Sequence, residues 1–201
     1  IEVTERSNKK WRPIGLGYMG LQDVFFKLKI PFDSEQAKSI SRKIAEEIYY
    51  SAVKTSCALS KEYGAHPNFS ESKASNGVLQ FDHWPVNLEN QERWNTLKED
   101  VKKYGLRNSL IIAIAPTATI ASITGCYECI EPQVSNLFKR ETLSGDFLQI
   151  NTYLVQDLKG LNLWNDSIRS KIKMANGSIS GIIQKKLRVV MSASPLSTEI
   201  G

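Results

Sequence analysis

Apolar positions recur at helical spacing along much of the chain. Between residues 40 and 52 they step by four, which is typical of the buried face of a helix. Asp33, with Gln36 three residues later, resembles a capping box at the start of that helix, and Gly64 is expected to end it. The same pattern predicts helices over about residues 19–29, 33–63, 90–104, 151–159 and 164–175.

Two of these predicted helices have one clear apolar face, and a third contains a cysteine. The face residues are Leu21, Val24, Phe25 and Leu28 in the first helix, and Trp94, Leu97 and Val101 in the helix that Gly105 is expected to end. Cys57, inside the long helix, is predicted to be a small core residue.

The segments between the helices predict an α/β fold. Residues 109–115 form an apolar run that is typical of a buried strand, and a proline loop with a helix start follows it. Residues 65–89 indicate an ordered but irregular excursion, and the segment after Pro132 indicates irregular or short-strand structure. Apolar strands that alternate with helices favour the α/β class.

Three glycines match the spacing of a dinucleotide fingerprint, at Gly15, Gly17 and Gly20. That fingerprint needs a strand, a tight turn and a helix, with an acidic residue about 20 positions on. No such unit is evident around these glycines, so we expect them to serve close packing.

Both histidines, His66 and His83, fall in the irregular excursion, and Asp82 adjoins His83. This pair could form a base or part of a metal site. No second ligand stands at metal-binding spacing, so structural or surface roles are expected.

The length and net charge of the chain limit the classes of protein to which it could belong. The chain has 201 residues, enough for one domain with its own core, and a net charge of +5 without aromatic–basic alternation. It has no apolar run of the roughly 18–20 residues that span a bilayer, so no membrane binding is expected. Because its basic residues do not alternate with aromatic ones, no nucleic-acid binding is expected either. Three cysteines without a signal peptide favour a reducing, cytoplasmic location.

The stretch after the apolar run is suited to a phosphate group. Pro116 fixes the exit from the strand, small residues let backbone N–H groups approach a ligand, and Thr117, Thr119 and Ser122 add hydroxyl donors. A helix that starts there would direct further free N–H groups at an anion. The alternative is a threonine-capped helix start with no ligand.

Cys126 and Cys129 form a C-x-x-C pair. Buried thiols are the leading interpretation, a redox pair is the second, and zinc is the third because a further ligand pair at suitable spacing is lacking.

An ordered set of short motifs resembles the large, catalytic subunit of class I ribonucleotide reductase. The motifs lie between about residues 11 and 180, and they are RPIGLG at 12–17, KEYG at 61–64, YGLRNS at 104–109, APTATIA at 115–121, IEP at 130–132, LSGDF at 143–147 and NGSI at 176–179.

The resemblance implies a fold, which is the later half of the ten-stranded α/β barrel of that family. Residues 1–181 are then part of the catalytic barrel, and residues 182–201 are a divergent tail that could be truncated. The chain begins with Ile1 rather than Met, which favours a processed chain or a piece of a longer one. Half a barrel would expose strand edges and an apolar face, so we expect poor stability in isolation.

The resemblance also implies an activity and a site. The family reduces ribonucleoside diphosphates to deoxyribonucleotides by radical chemistry, for DNA precursor synthesis, and is regulated by nucleotide effectors. The substrate-diphosphate loop of the family is similar to Pro116, Thr117, Ala118, Thr119 and Ile120. Some relatives carry a hydroxylated residue in place of Ile120, so a contact there would use the backbone.

The catalytic residues of the family match no position in this chain, and they are expected upstream of Ile1 and downstream of Gly201. No metal or cofactor is expected on this segment, since the metal-radical cofactor belongs to the small subunit. The implied partners are the diphosphate substrate, the rest of the large subunit, the small subunit, and thioredoxin or glutaredoxin as reductant.

Three alternatives remain open at this point. A cobalamin-dependent class II reductase carries a similar loop. A stand-alone phosphate-binding module could have kept the loop without catalysis. A redox protein could use Cys126 and Cys129.

Overall fold

The computed structural model describes residues 1–142 and 145–182, and within them the side chains of residues 140–142 are left aside. This part of the chain contains seven helices and one two-stranded sheet. The helices are α1 (Glu2–Trp11), α2 (Leu21–Leu28), α3 (Glu35–Tyr63), α4 (Gln91–Tyr104), α5 (Ala118–Thr124), α6 (Thr152–Gly160) and α7 (Asp166–Met174). The strands are β1 (Leu137–Thr142) and β2 (Gly145–Ile150).

The chain divides into two compact units, which are described separately. The first consists of residues 1–17 and 40–115, and the second of residues 18–39 and of the chain from Pro116 onward. Of the predicted tail, residues 183–201 lie outside the described residues, as do Leu143 and Ser144 of one motif.

The core of the first unit forms between α3 and α4. Trp94 and Val101 of α4 are fully buried and pack with Val53 and Cys57 of α3, so the predicted core position of Cys57 is confirmed. The predicted face of α4 is confirmed in full, and the side chain of Asn90 caps the helix by accepting from the Arg93 N–H. Three short 3₁₀ turns occupy the predicted irregular excursion, at Phe69–Glu71, Lys73–Asn76 and Gln80–His83.

The cap of helix α3 lies one residue later than predicted. The Ala37 N–H donates to the Ser34 hydroxyl at 3.1 Å, so Ser34 rather than Asp33 takes the capping position. The predicted apolar stripe between residues 40 and 52 is half-buried rather than fully buried. Part of it lines an open groove of about 510 Å³ in the first unit, together with Ile14, Leu16 and Leu59.

The predicted buried strand over 109–115 is the clearest difference from expectation. It makes a single parallel bridge, between Leu16 and Ile112, and Leu110 is 66% exposed. Among the described residues, its backbone hydrogen bonds are made to Trp11, Ile14 and Leu16, so one edge of the segment is left without a strand partner. The neighbouring glycines serve close packing, as predicted: a Cβ on Gly17 would lie 2.6 Å from the carbonyl oxygen of Ala113.

The second unit has its own core. Phe26 of α2, Leu154 and Leu158 of α6, and Ile172 of α7 are buried together with Ile179. The face of α2 is rotated from the predicted one, because Phe26 is buried while Leu28 is 53% exposed. Strands β1 and β2 form an antiparallel hairpin, with Leu137 opposite Ile150, where short strands were among the predicted alternatives.

Two further elements complete the description. Helix α1, which the sequence pattern did not predict, buries none of its residues. Within the described part of the chain, no helix is both long and apolar enough to cross a membrane.

Candidate functional site

The proline loop lies in the second unit, immediately before α5. Pro116, Ala118, Thr119 and Ile120 are exposed, and Thr117 is half-buried. The predicted helix start is confirmed, because α5 begins at Ala118 and ends at Thr124. The loop therefore presents small and hydroxylated residues at the surface.

Thr117 has an unusual backbone and an unusual hydrogen bond. Its φ of 54° lies in the left-handed region, where a β-branched residue is rare. Its side chain does not cap α5, and instead the hydroxyl accepts from the Cys129 N–H at 2.8 Å. This geometry contradicts the threonine-capped alternative, and it leaves the hydroxyl proton available for donation.

The other hydroxyls near the loop differ in their partners. Ser122 and Thr124 donate to carbonyls of their own helix, those of Ala118 and Ile120, at 3.1 Å and 3.0 Å. Within the described part of the chain, the Thr119 hydroxyl has no hydrogen-bond partner. Of the three predicted donors, Thr117 and Thr119 are therefore the ones that could serve a ligand.

A turn over residues 126–129 contacts the loop through the hydrogen bond from the Cys129 N–H to the Thr117 hydroxyl. The Tyr127 N–H donates to the Asp23 carboxylate at 2.6 Å, and the Tyr127 carbonyl accepts from the Gly20 N–H at 3.0 Å. Residues at the start of α2 thus hold the turn that provides the Cys129 N–H. No sequence pattern pointed to Asp23, because its partner lies 104 residues away.

Tyr153 extends this network. Burial, followed by the negative charge of Asp23 and a hydrogen bond to it, raises the pKa of Tyr153 to about 12. Its hydroxyl is therefore protonated at neutral pH and carries a proton that it can share with Asp23. Its ring packs against Phe26, with the ring centroids 5.2 Å apart.

The cysteine pair belongs to the same turn. Cys129 is buried, as the leading interpretation predicted, whereas Cys126 is only half-buried and lies 3.2 Å from the Thr124 hydroxyl. Both thiols are free. Among the described residues, no group of three or more His, Cys, Asp or Glu side chains is placed to hold a metal ion.

The predicted structural roles of the histidine region are confirmed for two residues. His66 is buried against the rings of Trp11 and Phe69, and burial lowers its pKa. Asp82 accepts from the Leu79 N–H at 2.7 Å and pairs with Lys98, so its carboxylate is used for structure.

Comparison with known proteins identifies the family. Residues 1–192 match the family model described as ribonucleotide reductase, barrel domain. The chain is 44% identical over 182 residues to the ribonucleoside-diphosphate reductase large chain of Schizosaccharomyces pombe. The aligned residues are 90% of this chain and 22% of that relative. It is also 44% identical over 182 residues to large chain 2 of Saccharomyces cerevisiae, with 90% and 21% covered.

A viral relative is similar to the same degree. The ribonucleoside-diphosphate reductase large subunit of Variola virus is 45% identical to the chain over 179 residues, which cover 89% of this chain and 23% of that protein. The chain therefore spans about a fifth of the length of the relatives it matches. Because the family model covers most of its residues, the chain belongs to the ribonucleotide reductase barrel-domain family.

Proposed function

We propose that this chain is part of the large subunit of a ribonucleoside-diphosphate reductase. The subunit would reduce ribonucleoside diphosphates to deoxyribonucleoside diphosphates for DNA precursor synthesis. Family membership and the printed names of the relatives support this, and those names favour a diphosphate-reducing large chain over a cobalamin-dependent enzyme.

Within that subunit, residues 116–120 bind the diphosphate of the substrate. The observation that carries this assignment is Thr117, a β-branched residue in the left-handed region whose hydroxyl is oriented by the Cys129 N–H rather than used as a helix cap. Backbone strain of this kind is typical of functional sites. The exposed Thr119 hydroxyl and the backbone N–H of Ile120 complete a donor set for phosphate oxygens.

The chemistry that this chain contributes is binding and orientation. Hydroxyl and amide donors fix the diphosphate, and the rest of the nucleotide is thereby placed for reduction by groups in the remainder of the subunit. The metal-radical cofactor is proposed to lie in the small subunit, as the resemblance to the family implies. The small subunit and a thioredoxin or glutaredoxin reductant are the proposed protein partners, in the cytoplasm.

The experiment is a steady-state assay of the full-length large subunit with its small subunit. Thr119→Ala should raise the KM for the ribonucleoside diphosphate about tenfold, since a hydrogen bond to a charged group is lost. Thr124→Ala is the matched control, because that hydroxyl donates to the Ile120 carbonyl within α5, and it should leave KM unchanged. An unchanged KM in Thr119→Ala would contradict the loop assignment.

The alternatives from the sequence are less well supported. A stand-alone phosphate module does not account for a family match that extends over residues 1–192. A redox protein would need accessible, reactive thiols at Cys126 and Cys129, but Cys129 is buried.

A further inference from the structure

We propose that Asp23 is a positioning residue for the substrate diphosphate: its carboxylate holds the 126–129 turn, and the turn orients the Thr117 hydroxyl. This inference rests on the proposed function of residues 116–120. It adds a residue from α2, almost a hundred positions away from the loop.

The first step is the pair of hydrogen bonds that hold the 126–129 turn against the start of α2. The Asp23 carboxylate accepts from the Tyr127 N–H at 2.6 Å, and the Gly20 N–H donates to the Tyr127 carbonyl at 3.0 Å. Both polar groups of the Tyr127 backbone are thus paired with residues 20 and 23. A charged acceptor makes the Asp23 bond the stronger of the two.

The second step runs from the turn to the loop. The Cys129 N–H lies two residues beyond Tyr127 and donates to the Thr117 hydroxyl oxygen at 2.8 Å. Since a hydroxyl hydrogen rotates freely, an accepted bond on its oxygen restricts the directions in which it can donate. A displaced turn would therefore misdirect the Thr117 hydroxyl without removing it.

The third step fixes Asp23 itself. Asp23 is half-buried, and its carboxylate interacts with the Tyr153 hydroxyl closely enough to help raise the pKa of Tyr153. The Tyr153 ring is held in turn against Phe26, which is 1% exposed. Asp23 therefore has one partner on the core side and one on the loop side, which is the arrangement expected of a residue that transmits a position.

The test compares variants of the full-length large subunit assembled with its small subunit. Thr117→Val should raise the KM for a ribonucleoside diphosphate about tenfold, because it removes the hydroxyl and keeps the shape. Asp23→Ala should raise KM about fivefold with kcat nearly unchanged, since the Gly20 bond still holds part of the turn. Asp23→Asn keeps an acceptor oxygen for the Tyr127 N–H and should restore KM to within about twofold of wild type.

The double variant separates positioning from general damage. Because Asp23 acts through the Thr117 hydroxyl, Asp23→Ala should add no further increase in KM to Thr117→Val. Tyr153→Phe keeps the ring packing, removes the hydroxyl that interacts with Asp23, and should raise KM about threefold, which provides a second route if Asp23→Ala does not fold. Asp157→Ala is the control, since Asp157 pairs with Lys29, just after α2, rather than with the turn, and its KM should match wild type.

The outcomes distinguish the two proposals. A raised KM in Thr117→Val, with wild-type KM in both Asp23→Ala and Tyr153→Phe, overturns the role of Asp23 and leaves the loop assignment standing. Additive effects in the double variant also overturn it. A wild-type KM in Thr117→Val overturns the loop assignment and the role of Asp23 together.

Discussion

Thr117 shows how far sequence reasoning reaches at the scale of single residues. The pattern of proline, small residues and hydroxyls identified Thr117, Thr119 and Ser122 as candidate donors, and the structure leaves the first two available to a ligand. The left-handed backbone of Thr117 and its bond to Cys129 could not be predicted, because both depend on a turn built later in the chain. Asp23 was missed for the same reason, since its role exists through a contact across 104 residues.

Glu46 is a buried charge with a structural role that leads to a pH prediction. Its side chain is 5% exposed and accepts from the Trp94 Nε1 at 3.0 Å, the Glu89 N–H at 2.9 Å and Arg93. Burial alone would raise its pKa, but these hydrogen bonds outweigh burial and hold the pKa below its usual value. The stabilisation is therefore present at neutral pH and is lost as the pH falls through the lowered pKa.

Glu46→Gln should destabilise the full-length subunit at pH 7 by about 1–3 kcal/mol, because charge-assisted hydrogen bonds are weakened. Thermal unfolding of wild type and variant at several pH values measures this effect. The difference between the two should narrow as the pH falls below the usual pKa of a glutamate and through the lowered pKa of Glu46. A difference that stays constant as the pH falls from 7 until the protein unfolds in acid would contradict this role for the charge.

Glu47 provides the matched control on the same helix. Its side chain is 61% exposed and pairs with Arg93 at 2.6 Å. Because exposed ion pairs contribute little, Glu47→Gln should change stability by less than about 1 kcal/mol.

At the scale of elements, helical periodicity was the most reliable signal. Helix α4 was predicted with its buried face, because Trp94, Leu97 and Val101 form a stripe in an otherwise polar segment. Helix α3 was predicted in extent, but its half-buried stripe and its cap at Ser34 differ from expectation. Apolar spacing locates a helix face, whereas the partner that covers the face is decided by tertiary packing.

The strand prediction was less successful for a physical reason. An apolar run such as 109–115 indicates a strand buried inside a sheet, but such a central strand also requires neighbours on both edges. The described residues supply one neighbour, and the pairing is held by bonds such as Leu16 N–H to the Ile111 carbonyl at 2.8 Å. The composition of a segment does not determine how many strands will pair with it.

Gly17 is the residue on which this pairing depends. A Cβ there would lie 2.6 Å from the Ala113 carbonyl oxygen, which is backbone and cannot rotate away. Gly17→Ala should therefore destabilise the full-length subunit by about 1–3 kcal/mol, as measured by thermal unfolding. Gly160→Ala is the control, since a Cβ there meets nothing within 4 Å, and a loss equal to that of Gly17→Ala would contradict the steric argument.

At the scale of the whole molecule, the resemblance of ordered motifs identified the family, and the match over residues 1–192 confirmed it. Periodicity alone supported only an α/β fold. The chain corresponds to 22% of the length of the Schizosaccharomyces pombe relative, and large apolar side chains such as Ile123, at 78%, are exposed. These surfaces are expected to be covered when the rest of the subunit is present.

The 201-residue chain on its own should therefore be poorly stable. We expect self-association at micromolar concentration and no cooperative melt, because exposed apolar surface favours association. Light scattering after gel filtration and a thermal scan measure both properties, with the full-length subunit as the control. A monomer that melts cooperatively would contradict the expectation.

The most direct test of the central claim is equilibrium binding to the full-length large subunit, with a ribonucleoside diphosphate and the corresponding ribonucleoside as two separate ligands. If residues 116–120 bind the diphosphate, Thr119→Ala should weaken binding of the diphosphate about tenfold and leave binding of the ribonucleoside unchanged. Equal affinity of the variant and wild type for the diphosphate would contradict the account, as would an equal loss for both ligands.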